Sequence, residues 1–282
     1  MPEHPGLQGA RVVAFESRMA EELRRLIERY GGLPVVVPAL REIPLTDNQA
    51  ARAFGLHLVQ GTIHILVCMT GMGTRHLLEI LQLDHSLDAI RSALSRIHVI
   101  ARGPKPLVAL REIGLTQTVA VPEPNTWREI LQTLDTHHIL VRDQQIAIQE
   151  YGAPSADLAD ALASRGGHVT SIPLYRWALP EDLGPLRAVV SQIVSGEIDA
   201  LIVTNAAQVD HVLQVVKEEG LEEPFRQALT RIVIASIGPT ASEHLRAHQL
   251  PVDFEPSHPK MGVLVKELGE QLHTLLIAKR SA

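Results

Sequence analysis

The feature that most constrains this chain is an internal repeat, because the sequence matches itself when it is shifted so that Gly31 falls on Gly166. We call this shift the repeat offset; it also places Gly32 on Gly167 and Gly103-Pro104 on Gly238-Pro239. The matches continue without a gap from residue 31 to residue 115 and keep the same order of turns, strand edges and helix faces. Two copies of a module are too few to stack as a solenoid. The chain of 282 residues is therefore expected to form two similar lobes.

Each copy alternates short apolar strands with amphipathic helices. In the first copy a strand at residues 65–69 precedes a helical pattern over residues 73–81, and the second copy repeats this order at 201–203 and 207–216. Continuous β-branched runs between helices are typical of a parallel sheet that is covered on both faces. The pattern predicts an α/β class with a doubly wound parallel sheet in each lobe. Ser155 is expected to cap the helix that follows it.

Two proline-bounded segments, residues 37–44 and 172–178, occupy equivalent positions in the copies. Proline restricts both segments to extended conformations, which suits linkers. If both are linkers, the opening β-α-β unit of one copy packs with the bulk of the other copy. The alternative is two contiguous halves that meet near residues 143–145. Sequence patterning alone leaves both arrangements open.

Composition excludes several classes of protein. The net charge is −6, with 26 Lys and Arg against 32 Asp and Glu, and only 3% of residues are aromatic, which argues against nucleic-acid binding. No apolar run approaches the roughly 18 residues of a membrane span, and residues 1–6 lack the pattern of a signal peptide. A single cysteine, Cys68, cannot form an internal disulfide framework or a thiolate zinc site. We expect a cytoplasmic protein.

Glycine-bearing or polar loops follow six of the expected strands. In a doubly wound sheet, ligands bind beyond the carboxyl ends of the strands, and free N–H groups at helix N-termini bind anions. The six loops together therefore predict a cleft between the lobes that binds a large polyanion. The alternative is that glycine only permits the turns. The loops are residues 16–18, 69–74, 101–105, 150–152, 204–207 and 236–240.

Motifs for other chemistry are weak. Gly71-Met72-Gly73 lacks the third glycine and the acidic partner of a dinucleotide site. His244 and His248 lie four residues apart on one helix face, but no carboxylate stands at a known ligand spacing, so we predict no metal. Cys68 lies within an apolar strand, where a thiol is usually inert. No nucleophile, cofactor or metal is therefore expected, and the chemistry has to rest on positioning and mild acid–base help.

One hydroxyl on the expected floor of the cleft, that of Tyr175, could transfer a proton. The alternative for this side chain is ordinary packing beside Trp177.

Five short segments carry, in order, the pattern of a known family. They are Ser17-Arg18 after the first strand, Gly31-Gly32 leading to residues 38–42, Thr70-Gly71-Met72-Gly73, Ile172-Pro173-Leu174-Tyr175-Arg176 and Ile237-Gly238-Pro239-Thr240. With their spacing, which holds over nearly the whole chain, they resemble the uroporphyrinogen-III synthase family. The resemblance implies two α/β lobes joined by a two-stranded linker with interleaved topology. Residues 1–38 and 175–282 would form one lobe and residues 39–174 the other, with linkers near 38–44 and 173–180.

The resemblance also implies a function. Such a chain would be a cofactor-independent lyase of tetrapyrrole synthesis, the route to haem, sirohaem and cobalamin. It would take the linear tetrapyrrole hydroxymethylbilane, expel its terminal hydroxyl, invert the last pyrrole ring through a spiro intermediate and close the macrocycle. The expected partners are this substrate and, transiently, porphobilinogen deaminase, with no nucleic acid, no membrane and a monomeric state. The alternative is a non-catalytic tetrapyrrole-binding or regulatory protein of the same fold; a two-lobed solute receptor is disfavoured.

The resemblance assigns site residues to this sequence. Tyr175 would be the catalytic general acid. Asn205 stands where many family members carry serine, and Ala241 stands where they often carry a second threonine. The expected substrate-binding residues are Ser17, Arg18, Thr70, Gly71, Gly73, Thr74, Arg102, Gly103, Lys105, Asn205, Ala206, Ile237, Gly238, Pro239, Thr240, Lys260 and Met261.

Overall fold

A computed structural model describes residues 6–45, 48–150 and 152–281. The chain divides into two compact units, unit 1 with Met1–Arg41 and Ala178–Ala282, and unit 2 with Glu42–Trp177. In chain order the elements are β1 (Arg11–Ala14), α1 (Ala20–Arg29), β2 (Leu33–Val36), β3 (Arg41–Pro44), α2 (Gln49–Gln60), β4 (Ile65–Cys68), α3 (Gly71–Leu81), α4 (Leu87–Leu94), β5 (His98–Ala101), α5 (Pro104–Glu112), β6 (Val119–Ala120), α6 (Trp127–Thr136), β7 (Gln145–Gln149), α7 (Ala156–Ser164), β8 (His168–Ile172), β9 (Tyr175–Ala178), α8 (Gly184–Val194), β10 (Ala200–Val203), α9 (Ala206–Glu218), α10 (Glu222–Leu229), β11 (Val233–Ser236), α11 (Pro239–Ala247) and α12 (Met261–Ser281).

The sheet of unit 1 joins strands from the two ends of the chain. Its order is β11-β10-β1-β2, and all neighbouring strands are parallel. Val12 of β1 pairs with Ala200 of β10 on one side and with Pro34 of β2 on the other. The opening β-α-β segment therefore packs with the last part of the chain, and the alternative of two contiguous halves is wrong.

The sheet of unit 2 repeats that arrangement. Its order is β6-β5-β4-β7-β8, again parallel throughout. Corresponding helices begin at positions related by the repeat offset, as with α2 at Gln49 and α8 at Gly184, or α5 at Pro104 and α11 at Pro239. Each sheet is doubly wound, which confirms the predicted fold class.

Helices cover both faces of the sheet in unit 1 because its central strands are apolar on both sides. Val13, Leu201 and Ile234 point to a cluster formed with α8, α9, α10 and α11. Their neighbours Val12 and Ile202 point to the opposite cluster, formed with α1 and α12. All four residues of β10 are buried, which is typical of a parallel strand at the centre of such a sheet.

Unit 2 is built in the same way. Leu66 and Val99 pack against α2, α3, α4 and α5, while Ile65, Val67 and Ile100 pack against α6 and α7. No helix among the described residues is long and apolar enough to cross a bilayer.

Strands β3 and β9 pair with each other in a separate two-stranded sheet. The division of the chain into units falls within these strands, after Arg41 and after Trp177. The family resemblance predicted the division a few residues earlier, after residues 38 and 174. These strands lie within the two proline-bounded segments, residues 37–44 and 172–178. Because the division falls within both segments, the chain passes between the units twice.

Local capping differs from the sequence prediction at two helices. Helix α3 begins at Gly71, two residues before the predicted start, because the Thr70 hydroxyl oxygen accepts a hydrogen bond from the N–H of Gly73. Ser155 does occupy the N-cap position of α7, but its side chain makes no capping bond. Its hydroxyl instead donates to the buried carboxylate of Glu150, 2.7 Å away.

The last helix, α12, is held to the rest of unit 1 by a lysine near its end. The Nζ atom of Lys279 donates to the carbonyl oxygens of Leu229 and Ile232 at 3.0 and 2.7 Å, and to Asp253 Oδ2 at 2.6 Å. The same Asp253 oxygen accepts the N–H of Ile234, at the core of the sheet. Only 15% of the Lys279 side chain is exposed, so these bonds are shielded from water.

Replacing Lys279 with methionine is expected to lower the free energy of unfolding by about 2 kcal/mol, because charge-assisted hydrogen bonds are lost and Asp253 is left without its cation. Lys266→Met is the control, since its exposed pair with Glu270 spans 4.0 Å and should contribute less than about 0.5 kcal/mol. Urea denaturation followed by circular dichroism measures both. Equal losses for the two variants would contradict this anchoring.

Candidate functional site

In each sheet, the direction in which successive strands are added reverses between two central strands, and ligands of doubly wound sheets bind at the carboxyl ends of such strands. In unit 2 these strands are β4 and β7. Gln149, the last residue of β7, is completely buried. Its Oε1 atom accepts the backbone N–H groups of Met69 and Thr70, each at 3.1 Å. The first turn after β4 is therefore fixed by a side chain of the neighbouring strand.

Thr70 links this turn to the tyrosine singled out by the sequence. The hydroxyl oxygen of Tyr175 lies 3.4 Å from Thr70 Oγ1, at the N-terminus of α3. Tyr175 is only 5% exposed, and its ring packs in the apolar cluster of unit 2. Thr74 is more buried still, and its hydroxyl donates to the Thr70 carbonyl at 2.7 Å. Packing and a polar contact thus coexist at Tyr175.

Gly71 and Gly73 are required by close packing. A Cβ on Gly73 would lie 2.1 Å from Gln149 Nε2, and one on Gly71 would lie 2.6 Å from the Lys105 carbonyl oxygen. Any larger residue would separate α3 from β7 or from the start of α5. The structural reason for these glycines is therefore established, and their contact with a ligand stays a prediction.

Unit 1 has an analogous polar bridge at the carboxyl ends of β10 and β1. The Thr204 hydroxyl, which follows β10, donates to Glu16 Oε2 at 2.6 Å and accepts a bond from Gln208 Nε2 at 2.9 Å. Gln208 Oε1 accepts the N–H groups of Thr204 and Asn205 at 3.0 and 3.2 Å. A glutamine oxygen therefore binds two successive N–H groups after the central strand in both units.

Asn205 caps helix α9. Its Oδ1 atom accepts the N–H of Ala207 at 2.9 Å, within a capping box completed by Gln208. The asparagine thus performs the capping that a serine would perform at this position.

Two of the six predicted anion-binding loops hold a carboxylate of the protein itself. Glu16 Oε1 accepts the N–H groups of Arg18 and Met19 at 3.1 and 3.2 Å, and Glu150 Oε2 accepts the N–H of Ser155 at 3.0 Å. Within the predicted loops, the N–H of Arg18 therefore already has a partner in the protein, whereas the N–H groups of Met19 and Ser155 lie just beyond the predicted bounds. Binding of an external anion by these loops stays a prediction. The side chains of Ser17 and Arg18 stay candidates. Tyr151, in the second loop, lies outside the described residues.

The loops after β5 and β11 both enter their helices through Gly-Pro. Pro104 and Pro239 occupy the first turn of α5 and α11, where a missing N–H is harmless. A Cβ on Gly238 would lie 3.1 Å from Pro259 Cβ, so Pro259 lies against this turn. Thr240 is exposed at the second position of α11.

The candidate cations differ in their exposure. Arg102 is half-buried, and its Nε atom donates to the Asn125 carbonyl at 2.8 Å, so it stabilises the loop that follows β5. The side chains of Arg18, Lys105 and Lys260 are exposed.

The structure groups the predicted site residues by unit. Unit 2 holds Thr70, Gly71, Gly73, Thr74, Arg102, Gly103, Lys105 and Tyr175, and unit 1 holds Ser17, Arg18, Asn205, Ala206, Ile237, Gly238, Pro239, Thr240, Lys260 and Met261. Apart from Tyr175 on β9 and residues 260–261 at the start of α12, all follow the carboxyl ends of strands of their own sheet.

Sequence reasoning missed the buried Gln149 and Gln208, which organise these turns, and it placed Glu150 in a predicted loop without recognising that its carboxylate is buried. A signal was present at Gln149 and Glu150, because a buried strand that ends in two polar residues requires hydrogen-bond partners for them.

Cys68 has no catalytic role in this geometry. It is a free, fully buried cysteine at the end of β4, and burial raises the pKa of its thiol to about 12. The thiolate is therefore negligible at neutral pH, which confirms the prediction of an inert thiol.

Gly73→Ala is expected to lower the free energy of unfolding by about 1–3 kcal/mol, because the new methyl group has to displace Gln149. Gly262→Ala in α12 is the matched control, since a Cβ there meets nothing within 4 Å. Chemical denaturation of the two variants measures the difference. If Gly73→Ala is as stable as Gly262→Ala, the close packing of α3 on Gln149 is not a constraint.

Comparisons with known proteins agree with this architecture. The family model described as uroporphyrinogen-III synthase HemD matches residues 21–266. The uncharacterized protein YjjA of Bacillus subtilis is 26% identical over 269 residues, which cover 94% of this chain and 97% of that protein.

Two solved structures are similar over almost their full length. A mutant uroporphyrinogen III synthase from the extremely thermophilic bacterium Thermus thermophilus is 25% identical with a TM-score of 0.70, covering 94% of this chain and 100% of that one. The wild-type enzyme of the same bacterium, in another crystal form, is 26% identical with a TM-score of 0.55, covering 97% and 100%. The family match spans both units and most of the site loops described above, and the chain therefore belongs to the uroporphyrinogen-III synthase family.

Proposed function

We propose that this protein is a uroporphyrinogen-III synthase, a lyase that cyclises hydroxymethylbilane with inversion of the terminal pyrrole ring. The observation that carries the proposal is the family match over residues 21–266, which includes loops at the strand ends of both sheets. Cytoplasmic location, a monomeric state and transient contact with porphobilinogen deaminase belong to the same proposal, and no cofactor is invoked for the reaction.

The donors available to such a substrate are local. Hydroxymethylbilane carries eight carboxylates, whereas the chain has a net charge of −6, so long-range attraction is unfavourable. Three exposed cations are suited to compensate for this repulsion: Arg18 and Lys105 beyond strand ends, and Lys260 directly before α12. Each charge-assisted hydrogen bond contributes about 1.5–3 kcal/mol. We propose that the loops that carry these cations bind the bilane in this way.

The energetic requirement for isomer selection is modest. Left alone, the bilane closes without inversion. A hundredfold preference for the inverted route needs about 2.7 kcal/mol of differential transition-state stabilisation. Two well-placed hydrogen bonds supply that much. They have to hold the last ring so that its substituted carbon faces the azafulvene carbon, since the bond between these two carbons forms the spiro intermediate.

Tyr175 is proposed as the general acid that protonates the departing hydroxyl. Its oxygen lies 3.4 Å from Thr70 Oγ1, at the N-terminus of α3. The partial positive charge of a helix N-terminus stabilises the phenolate that remains after proton donation. The Thr70 hydroxyl would accept a hydrogen bond from the neutral phenol, or donate one to the phenolate.

Freshly prepared hydroxymethylbilane added to the purified protein, without metal or nucleotide, should yield the inverted isomer. Chromatography of the oxidised products separates the two isomers, and the protein-free reaction gives the baseline of the non-inverted one. Recovery of only the non-inverted isomer would overturn the enzyme assignment. Tight binding of the bilane without inversion would favour the non-catalytic tetrapyrrole-binding alternative.

Tyr175→Phe should lower kcat by about 100-fold, because a general acid contributes 10²–10⁴ to rate, while KM changes by less than about threefold. Tyr30→Phe, at the end of α1, is the control and should keep the parental kcat. Equal rates for the parent and Tyr175→Phe would reduce Tyr175 to a packing residue.

A further inference from the structure

A cluster of two histidines and one aspartate lies on the surface of unit 1, apart from the strand ends. Asp210 Oδ1 is 2.8 Å from His244 Nε2 and 3.0 Å from His248 Nε2. The three ligand atoms lie within 4.8 Å of one another, and the two imidazole rings meet edge to face. Asp210 is on α9, whereas His244 and His248 are one turn apart at the end of α11.

The equivalent helix pair in unit 2, α3 and α5, shows which side-chain contact is enough to link two such helices. At the repeat offset, Arg75 corresponds to Asp210 and Glu112 corresponds to Ala247. Arg75 and Glu112 join α3 to α5 by two hydrogen bonds of 2.8 and 2.6 Å. One ordinary salt bridge therefore suffices to link these helices. In unit 1, two imidazole nitrogens converge on a single carboxylate oxygen, so the link contains one nitrogen ligand more than a simple contact between two helices requires.

The donor set has the chemistry of a transition-metal site. Imidazole nitrogen and carboxylate oxygen are preferred ligands of Zn²⁺, at bond lengths that place tetrahedral ligand atoms about 3.3 Å apart. To admit an ion, the nitrogen–oxygen distances of 2.8 and 3.0 Å have to lengthen slightly, and the two Nε2 atoms, which lie within 4.8 Å of each other, have to approach each other. Between 31% and 49% of each side chain is exposed, which leaves a path for the ion and for a water ligand.

We propose that Asp210, His244 and His248 form a binding site for a divalent transition-metal ion of the zinc class. The ion replaces the protons that otherwise link each Nε2 atom to Asp210. It joins α9 to α11, whose N-termini carry Asn205 and Thr240 of the proposed substrate loops. Its role is to hold these helices together, so it is independent of the proposed reaction. The sequence offered no third ligand near the histidines because Asp210 is contributed by another helix.

The test uses the full chain without a polyhistidine tag, stripped with a chelator and dialysed. Calorimetric titration with ZnCl₂ should show one site with a Kd of about 1 μM or tighter, and Co²⁺ should give the visible absorption of a tetrahedral site. Saturating Zn²⁺ should raise the Tm by about 3 °C or more, because the ion binds only the folded state. Absence of binding, or binding without the Co²⁺ spectrum and the rise in Tm, would overturn the proposal.

Variants identify the ligands. His248→Ala and Asp210→Asn should each weaken Zn²⁺ binding by about 100-fold or more, whereas His273→Ala, which removes an exposed histidine of α12, should leave it unchanged. The double variant Asp210→Arg with Ala247→Glu places between α9 and α11 the residue pair that Arg75 and Glu112 form in unit 2. Ala247 is exposed, so the new glutamate has room. It should keep the Tm of the metal-free parent and lose the response to Zn²⁺. Unchanged Zn²⁺ affinity in His248→Ala or in the double variant would place the ion elsewhere.

Discussion

The architecture depends on strands that are buried on both faces. Every residue of β4 and of β10 is buried, so their side chains serve only to pack helices on the two sides of each sheet. Such strands offer chemistry at one place alone, the turn beyond their carboxyl ends, where the backbone leaves the core. Because both sheets add strands in the same order, the two turns occupy equivalent places in their units.

Those turns are not open donor surfaces, because buried N–H groups need partners within the protein. Gln149 binds two of them in unit 2, and Gln208 binds two in unit 1. Glu16 and Glu150 engage further N–H groups at the starts of the next segments. These bonds hold the first N–H groups of each turn, and under the proposed function a polyanionic substrate would also meet the exposed cations and hydroxyl groups at its rim. If the proposed reaction takes place here, a rim held in this way would serve the selection between two ring closures.

The sequence predicted those parts of the fold that depend on local or periodic signals. The strand predicted at residues 65–69 and the helix predicted at 73–81 lie at Ile65–Cys68 and Gly71–Leu81, because an apolar run and helical spacing are local signals. The interleaved lobes followed from the family resemblance together with the repeat. The contacts that escaped prediction join residues far apart in the chain, such as Gln149 with Met69 or Asp210 with His244. Such contacts depend on sheet order and helix register, which a single sequence does not contain.

Comparing equivalent residues of the two copies distinguishes residues that the fold requires in both units from residues that occur in one unit only. Gly-Pro before α5 recurs before α11, so it serves helix entry in both units. Tyr175, by contrast, corresponds to Leu40 at the repeat offset, and both side chains are 5% exposed. An aliphatic residue therefore fills this position adequately in one copy, and packing alone does not call for a phenol in the other. The hydroxyl beside Thr70 is the part of Tyr175 that has no counterpart at Leu40, and this difference supports the proposed role of Tyr175.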